Sequence, residues 1–165
     1  MTKWLLSAAL MLSAFASTTV AQSKESLVGT WKLVSVTVKN NKGELVNGYG
    51  PNPIGLLTYT TDGRMSVVMA DSRRKPFSTD SPTATERAEA FDTLFAYAGS
   101  YTVAGGKVMH HIEIASAQEL VNTDQERSIN LQADRLTLKG GWLVDGVMYQ
   151  PNNEVVWERL KPSKP

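Results

Sequence analysis

The chain has no cysteine among its 165 residues. Disulfides, thiol nucleophiles, thiolate metal sites and a lipid-modified N-terminal cysteine are excluded with it. Histidine is almost as scarce, with only the adjacent pair His110 and His111. Neighbouring residues on a regular strand point to opposite sides, so the pair cannot chelate one ion from a strand. With no third His and no Cys, no metal site is expected. Neither charge dominates, at 17 basic against 16 acidic residues and with no basic block, so nucleic acid and anionic membrane are poor partners. There is no phosphate-cradling glycine loop and no nucleophile elbow, which leaves kinase, dehydrogenase and hydrolase chemistry without its usual machinery. No cofactor is expected.

No apolar run reaches the roughly 20 residues of a spanning helix. The longest, Trp4 to Ala16, is 13 residues. It follows Lys3 and precedes the small residues Thr19-Val20-Ala21, the order of a secretory signal peptide. Residues 1–21 are therefore expected to be removed, leaving 22–165 as a single domain with no stable membrane anchor. Loss of Lys3 would leave sixteen basic and sixteen acidic residues. Export without disulfides points to a bacterial periplasm or medium.

What is present is mostly β pattern. Val28 to Val38 is rich in β-branched residues. Strict alternation puts Val34, Val36 and Val38 on one face and Trp31, Leu33, Ser35 and Thr37 on the other. Ile54–Thr60 and Arg64–Ala70 flank Thr61-Asp62-Gly63, a hairpin signal. From Thr83 to Ala98 the period changes. Ala84, Ala88, Phe91, Leu94, Phe95 and Ala98 recur at steps of three and four, Thr83 with Glu86 fits a capping box, and Gly99 fits a helix end. This face is expected to cover one barrel opening. Strands follow at 100–104, 107–115, 126–133, 135–139, 142–144, 147–149 and 154–160, joined by short turns that imply antiparallel pairing. The architecture predicted is all-β: an up-and-down antiparallel barrel of about eight to ten strands with one helix near 83–98.

Several segments together resemble the lipocalin-like domain family. Gly29-Thr30-Trp31-Lys32-Leu33 looks like the Gly-x-Trp start shared by calycin barrels. Gly55 to Ser66 looks like the family's hairpin, and Tyr97-Ala98-Gly99-Ser100-Tyr101, His110-His111-Ile112-Glu113, Arg127 and Leu136-Thr137-Leu138 follow in the family's order. The resemblance covers 27–161 and implies a barrel with an apolar cavity that binds small hydrophobic molecules. It carries over no catalytic set. In lipocalins the first-strand Trp packs under an Arg near the end of the last strand. Gly29, Trp31, Trp157 and Arg159 are therefore expected to close the barrel.

The functional candidates interrupt apolar strand faces. His110 shares a face with Val108, Ile112 and Ile114, so it should point inward while His111 meets solvent. Arg127 shares one with Ile129 and Leu131, and a charge there must be paired, lie near the mouth or reach a ligand. Tyr59 and Tyr101 offer rings and hydroxyls suited to a cavity wall. The expected ligand-binding set is Tyr59, Tyr101, His110 and Arg127, holding a small hydrophobic molecule in the interior. The alternatives are an isomerase- or cyclase-type enzyme in the same cavity with His110 as acid or base, and a structural barrel with a filled interior.

Overall fold

The structure, a computed structural model, describes residues 23–150 and 153–161. The expected signal peptide and Pro151-Asn152 of the last turn lie outside the described residues. The strands are β1 (Gly29–Lys39), β2 (Leu45–Asn47), β3 (Ile54–Tyr59), β4 (Arg64–Ala70), β5 (Leu94–Ala104), β6 (Lys107–Ala115), β7 (Asp124–Gln132), β8 (Arg135–Lys139), β9 (Trp142–Val144), β10 (Val147–Tyr149) and β11 (Glu154–Arg159). A short α1 (Lys24–Leu27) precedes β1, and α2 (Ala84–Asp92) joins β4 to β5. Eight strands form the closed antiparallel barrel: β1, β3 through β8, and β11, which bridges β8 back to β1. β2 adds to the far end of β1, and β9–β10 pair only with each other.

Closure is set by the two end strands. Trp31 stands opposite Arg159, and Leu33 opposite Trp157. The Arg159 guanidinium lies 4.0 Å from the centre of the Trp31 ring. It also donates to the backbone oxygens of Val28 and Ser26, while Trp31 Nε1 donates to the Leu27 oxygen at 2.9 Å. These bonds pull α1 across the barrel end and bury Leu27 completely. Gly29 has φ +132°, and a Cβ there would meet Arg159 Nη1 at 3.0 Å, so the guanidinium needs a glycine beneath it.

Strict alternation fails at two places, both bulges. Val34 is the extra residue of β1 against β11, so the inward set switches from Trp31 and Leu33 to Val36. The predicted faces Val34/Val36/Val38 and Trp31/Leu33/Ser35/Thr37 are accordingly broken at Val34. In β6, Glu113 is the extra residue, since Gly99 pairs with Ile112 and Ala98 with Ile114. Ile114 therefore leaves the inward face of His110 and is exposed. Gly99 makes this bulge possible: a Cβ there would sit 1.9 Å from the His111 oxygen.

Gly99 was expected at a helix end, and the difference is instructive. The capping box forms, with Thr83 Oγ1 accepting from the Glu86 amide and the Glu86 carboxylate accepting from the Thr83 amide. The helix stops at Asp92 rather than Ala98. From Leu94 onward the chain pairs with β4, Ala70 facing Leu94 and Val67 facing Tyr97. Sheet pairing supplies long-range hydrogen bonds and burial that an isolated short helix lacks, and it overrides the local three-to-four period. α2 buries no residue and Phe91 is exposed, so the helix does not cap the barrel with an apolar face.

Candidate functional site

The inward residues of β3, β5 and β6 fill the middle of the barrel. His110 is fully buried. One ring nitrogen, Nε2, lies 2.7 Å from the Tyr59 hydroxyl, and the other, Nδ1, lies 2.9 Å from the Tyr97 hydroxyl. A neutral imidazole has one donor and one acceptor nitrogen, so this pair of hydroxyls satisfies it completely. Burial, then the nearby Arg127 charge, then His111, push the His110 pKa down to about 3. Burial likewise raises Tyr97 to about 12 and Tyr59 well above its ordinary value. Near neutral pH His110 is therefore uncharged, with each ring nitrogen within hydrogen-bond reach of a tyrosine hydroxyl. Tyr101 packs on Tyr59 with ring centres 4.6 Å apart and donates its hydroxyl to the Thr60 oxygen. Tyr59, Tyr101 and His110 thus form a packed, hydrogen-bonded centre.

His111 lies on the outer side, as expected, with Nδ1 2.7 Å from Asp124. Among the described residues no cluster of His, Cys, Asp and Glu could hold a metal ion.

The room lies toward β9. Arg127, on β7, is 5% exposed, and no carboxylate pairs with it among the described residues. Its Nη1 donates to the Glu126 and Gly141 oxygens. Its guanidinium lies 4.3 Å from the Trp142 ring centre. Its Nη2 has no partner. Two other buried polar atoms are also unpartnered, Trp157 Nε1 and Asn153 Oδ1. Arg127, Trp157 and Asn153 line the same internal void of about 20 Å³, with Trp142, Tyr97 and Val155 among its other walls. That is space for one water-sized atom, not for a molecule. This void, as the described residues line it, is smaller than the ligand cavity expected there. Of the four expected binding residues only Arg127 reaches this void.

A larger recess lies immediately outside. Phe95, Ala117, Glu119, Leu120, Trp142 and Val144 line a groove of about 370 Å³, within the range of small-molecule sites. Trp142 lines both spaces. Its indole meets Phe95 and Tyr97 edge-on, at 4.8 and 5.6 Å between ring centres. The backbone on both sides of it is latched by β7. Arg127 holds the Gly141 oxygen, and the buried Gln125 amide both donates to the Leu143 oxygen and accepts from the Leu143 amide, at 2.7 and 2.8 Å. One aromatic side chain separates an apolar groove from a void with unmet polar atoms.

Two other depressions lie on the outer surface: one of about 880 Å³ along β1, β3 and β4, and one of about 330 Å³ between residues 73–78 and α2. Neither is lined by a buried, unpartnered polar atom among the described residues.

Comparison with a family sequence profile agrees with the fold. The sequence profile of a lipocalin-like domain family matches residues 28–160. Among solved structures, a lipocalin-like protein from Bacteroides uniformis is similar at 12% identity and a TM-score of 0.43, over 81% of this chain and 98% of that one. No curated protein matches.

Proposed function

We propose that this chain, which belongs to the lipocalin-like domain family, binds a small, mostly apolar molecule at the β9 side of its barrel. A lipocalin-like barrel is a ligand-binding type of fold, and the reading here is where this one binds. The observation that carries it is the double position of Trp142, wall of the outer groove and wall of the inner void. The ligand's apolar body lies against Phe95, Leu120 and Val144, and the indole turns aside to let one end reach inward. The β9–β10 hairpin suits this movement because it pairs with no barrel strand and is held by side-chain latches. The leader-like residues 1–21 support a periplasmic or secreted carrier. Turnover is not part of this reading, because the only inward histidine is enclosed between two tyrosines.

The test is a fluorescence titration with the neutral probe N-phenylnaphthylamine. The wild type binds it with quenching of tryptophan emission. Ala117→Trp, which fills the groove without touching the void, weakens binding about tenfold, roughly 1.4 kcal/mol. Equal affinity of wild type and Ala117→Trp would place binding elsewhere and overturn the proposal.

A further inference from the structure

The void beside Arg127 has a chemistry more specific than its size. Arg127 Nη2 and Trp157 Nε1 are both donors with nothing to donate to, and Asn153 Oδ1 is an acceptor with nothing to accept. All three belong to residues that line the same space of about 20 Å³. A water has the bonding capacity to accept from two such donors and donate to one such acceptor. It does not neutralise the buried guanidinium, whose other partners are backbone oxygens and the Trp142 ring. A buried cation without a counter-ion among the described residues is an unfavourable arrangement.

We infer that this void is a head-group subsite for a carboxylate carried at the end of an apolar chain. The inference rests on the binding site proposed above and names the class of molecule that fits it. One carboxylate oxygen takes the place of the water and accepts from Arg127 Nη2 and Trp157 Nε1. The Asn153 amide turns about its last bond and presents its NH₂ group in place of its oxygen, a change that alters no packing because the two ends are of equal size. The chain then leaves past Trp142 into the groove of Phe95, Leu120 and Val144. Glu119, at the groove, disfavours a second negative charge there, so a monocarboxylate fits better than a diacid. Charge and hydrogen bond act together on Nη2, because Nη1 is already committed to Glu126 and Gly141.

The experiment compares decanoate, below its micelle concentration, with decanol, each displacing N-phenylnaphthylamine from the full folded protein. Decanoate is expected to displace the probe at about one-tenth the concentration decanol needs, or less. Arg127→Met removes this preference, so that decanoate then displaces the probe no more readily than decanol does. Should Arg127→Met not fold, Asn153→Asp gives the answer from the other side. It supplies a built-in counter-ion at the void, and is expected to raise the melting temperature and abolish the decanoate preference. Equal potency of decanoate and decanol, with the probe still bound, overturns the head-group assignment and leaves the groove standing. A decanoate preference that survives Asn153→Asp or Arg127→Met also overturns it. If the probe itself does not bind, the proposed site and this inference fall together.

Discussion

Lowering the pH from 6.5 to 4.5 is expected to reduce the stability of the folded barrel by about 2 kcal/mol through His110 alone. The unfolded chain protonates this imidazole near its ordinary pKa of 6.5, whereas the folded chain resists until pH falls to about 3. More protons are bound by the unfolded state across that window, so stability is complete above pH 6.5 and declines as pH falls toward 3. At roughly 1.4 kcal/mol per unit, the full window amounts to about 4–5 kcal/mol. Asp71, held by Arg73, and Glu86, held by backbone amides of the capping box and Ser78, both have carboxyls lowered to about 2. Their stabilising contribution is present above about pH 4.5 and is lost below it, so the interval from 6.5 to 4.5 isolates the histidine. His110→Phe identifies the source. It leaves the hydroxyls of Tyr59 and Tyr97 buried and short of a partner, and is expected to reduce stability at pH 7.5 by about 2–5 kcal/mol. At pH 4.5 that deficit shrinks by about 3 kcal/mol, because the variant has nothing to titrate there. Urea unfolding at the two pH values reads both quantities. A deficit that stays constant with pH would mean that the imidazole is not enclosed between the tyrosines.

Trp31→Ala is expected to cost about 3–5 kcal/mol. The indole is fully buried, so its removal leaves a large cavity at the closed end of the barrel. Two further losses follow from its contacts. The Arg159 guanidinium loses the ring beneath it, and the Leu27 oxygen loses its donor, one of the bonds that hold α1 across the opening. An aromatic surface under a partly desolvated guanidinium is itself worth about 0.5–2 kcal/mol. Trp31→Phe keeps the surface and loses the hydrogen bond, and should recover more than half of the deficit. A urea midpoint for Trp31→Ala within about 1 kcal/mol of the wild type would show that the Trp31–Arg159 stack does not close the barrel.

The end strands were legible in the sequence because their logic is local. Gly29-Thr30-Trp31 and Trp157-Glu158-Arg159 each carry an indole next to what it needs, and the pairing of Trp31 with Arg159 follows once the sheet closes. Arg127 was legible for the same reason: a charge on an apolar face signals itself without knowledge of its neighbours. His110 was correctly placed indoors, yet its role was not visible, since both of its partners come from other strands. Tyr97 was concealed by the helical period of Phe91, Leu94, Phe95 and Ala98, although Phe95, Tyr97, Tyr101 and Val103 also alternate. Val34 and Glu113 show the limit of alternation itself. A bulge reverses every later residue, and nothing in the residue types announces it. Trp142 was the least legible. It sits in a three-residue strand, and its place depends on the Gln125 amide and Arg127 of β7, partners 14 to 18 residues away.

These observations divide the molecule by task. The Trp31–Arg159 end is sealed, the Tyr59–His110–Tyr97 centre is filled and neutral, and the Arg127–Trp142 end keeps its polar atoms unmet. Binding at that last end is the central claim, and the indole N–H signals of Trp31, Trp142 and Trp157 in a two-dimensional nitrogen–proton spectrum test it most directly. On titration with N-phenylnaphthylamine, the account predicts that the Trp142 and Trp157 signals move together and saturate while Trp31 stays in place. Movement of Trp31 with Trp142 unmoved, or no movement of any of the three at saturating probe, would contradict it.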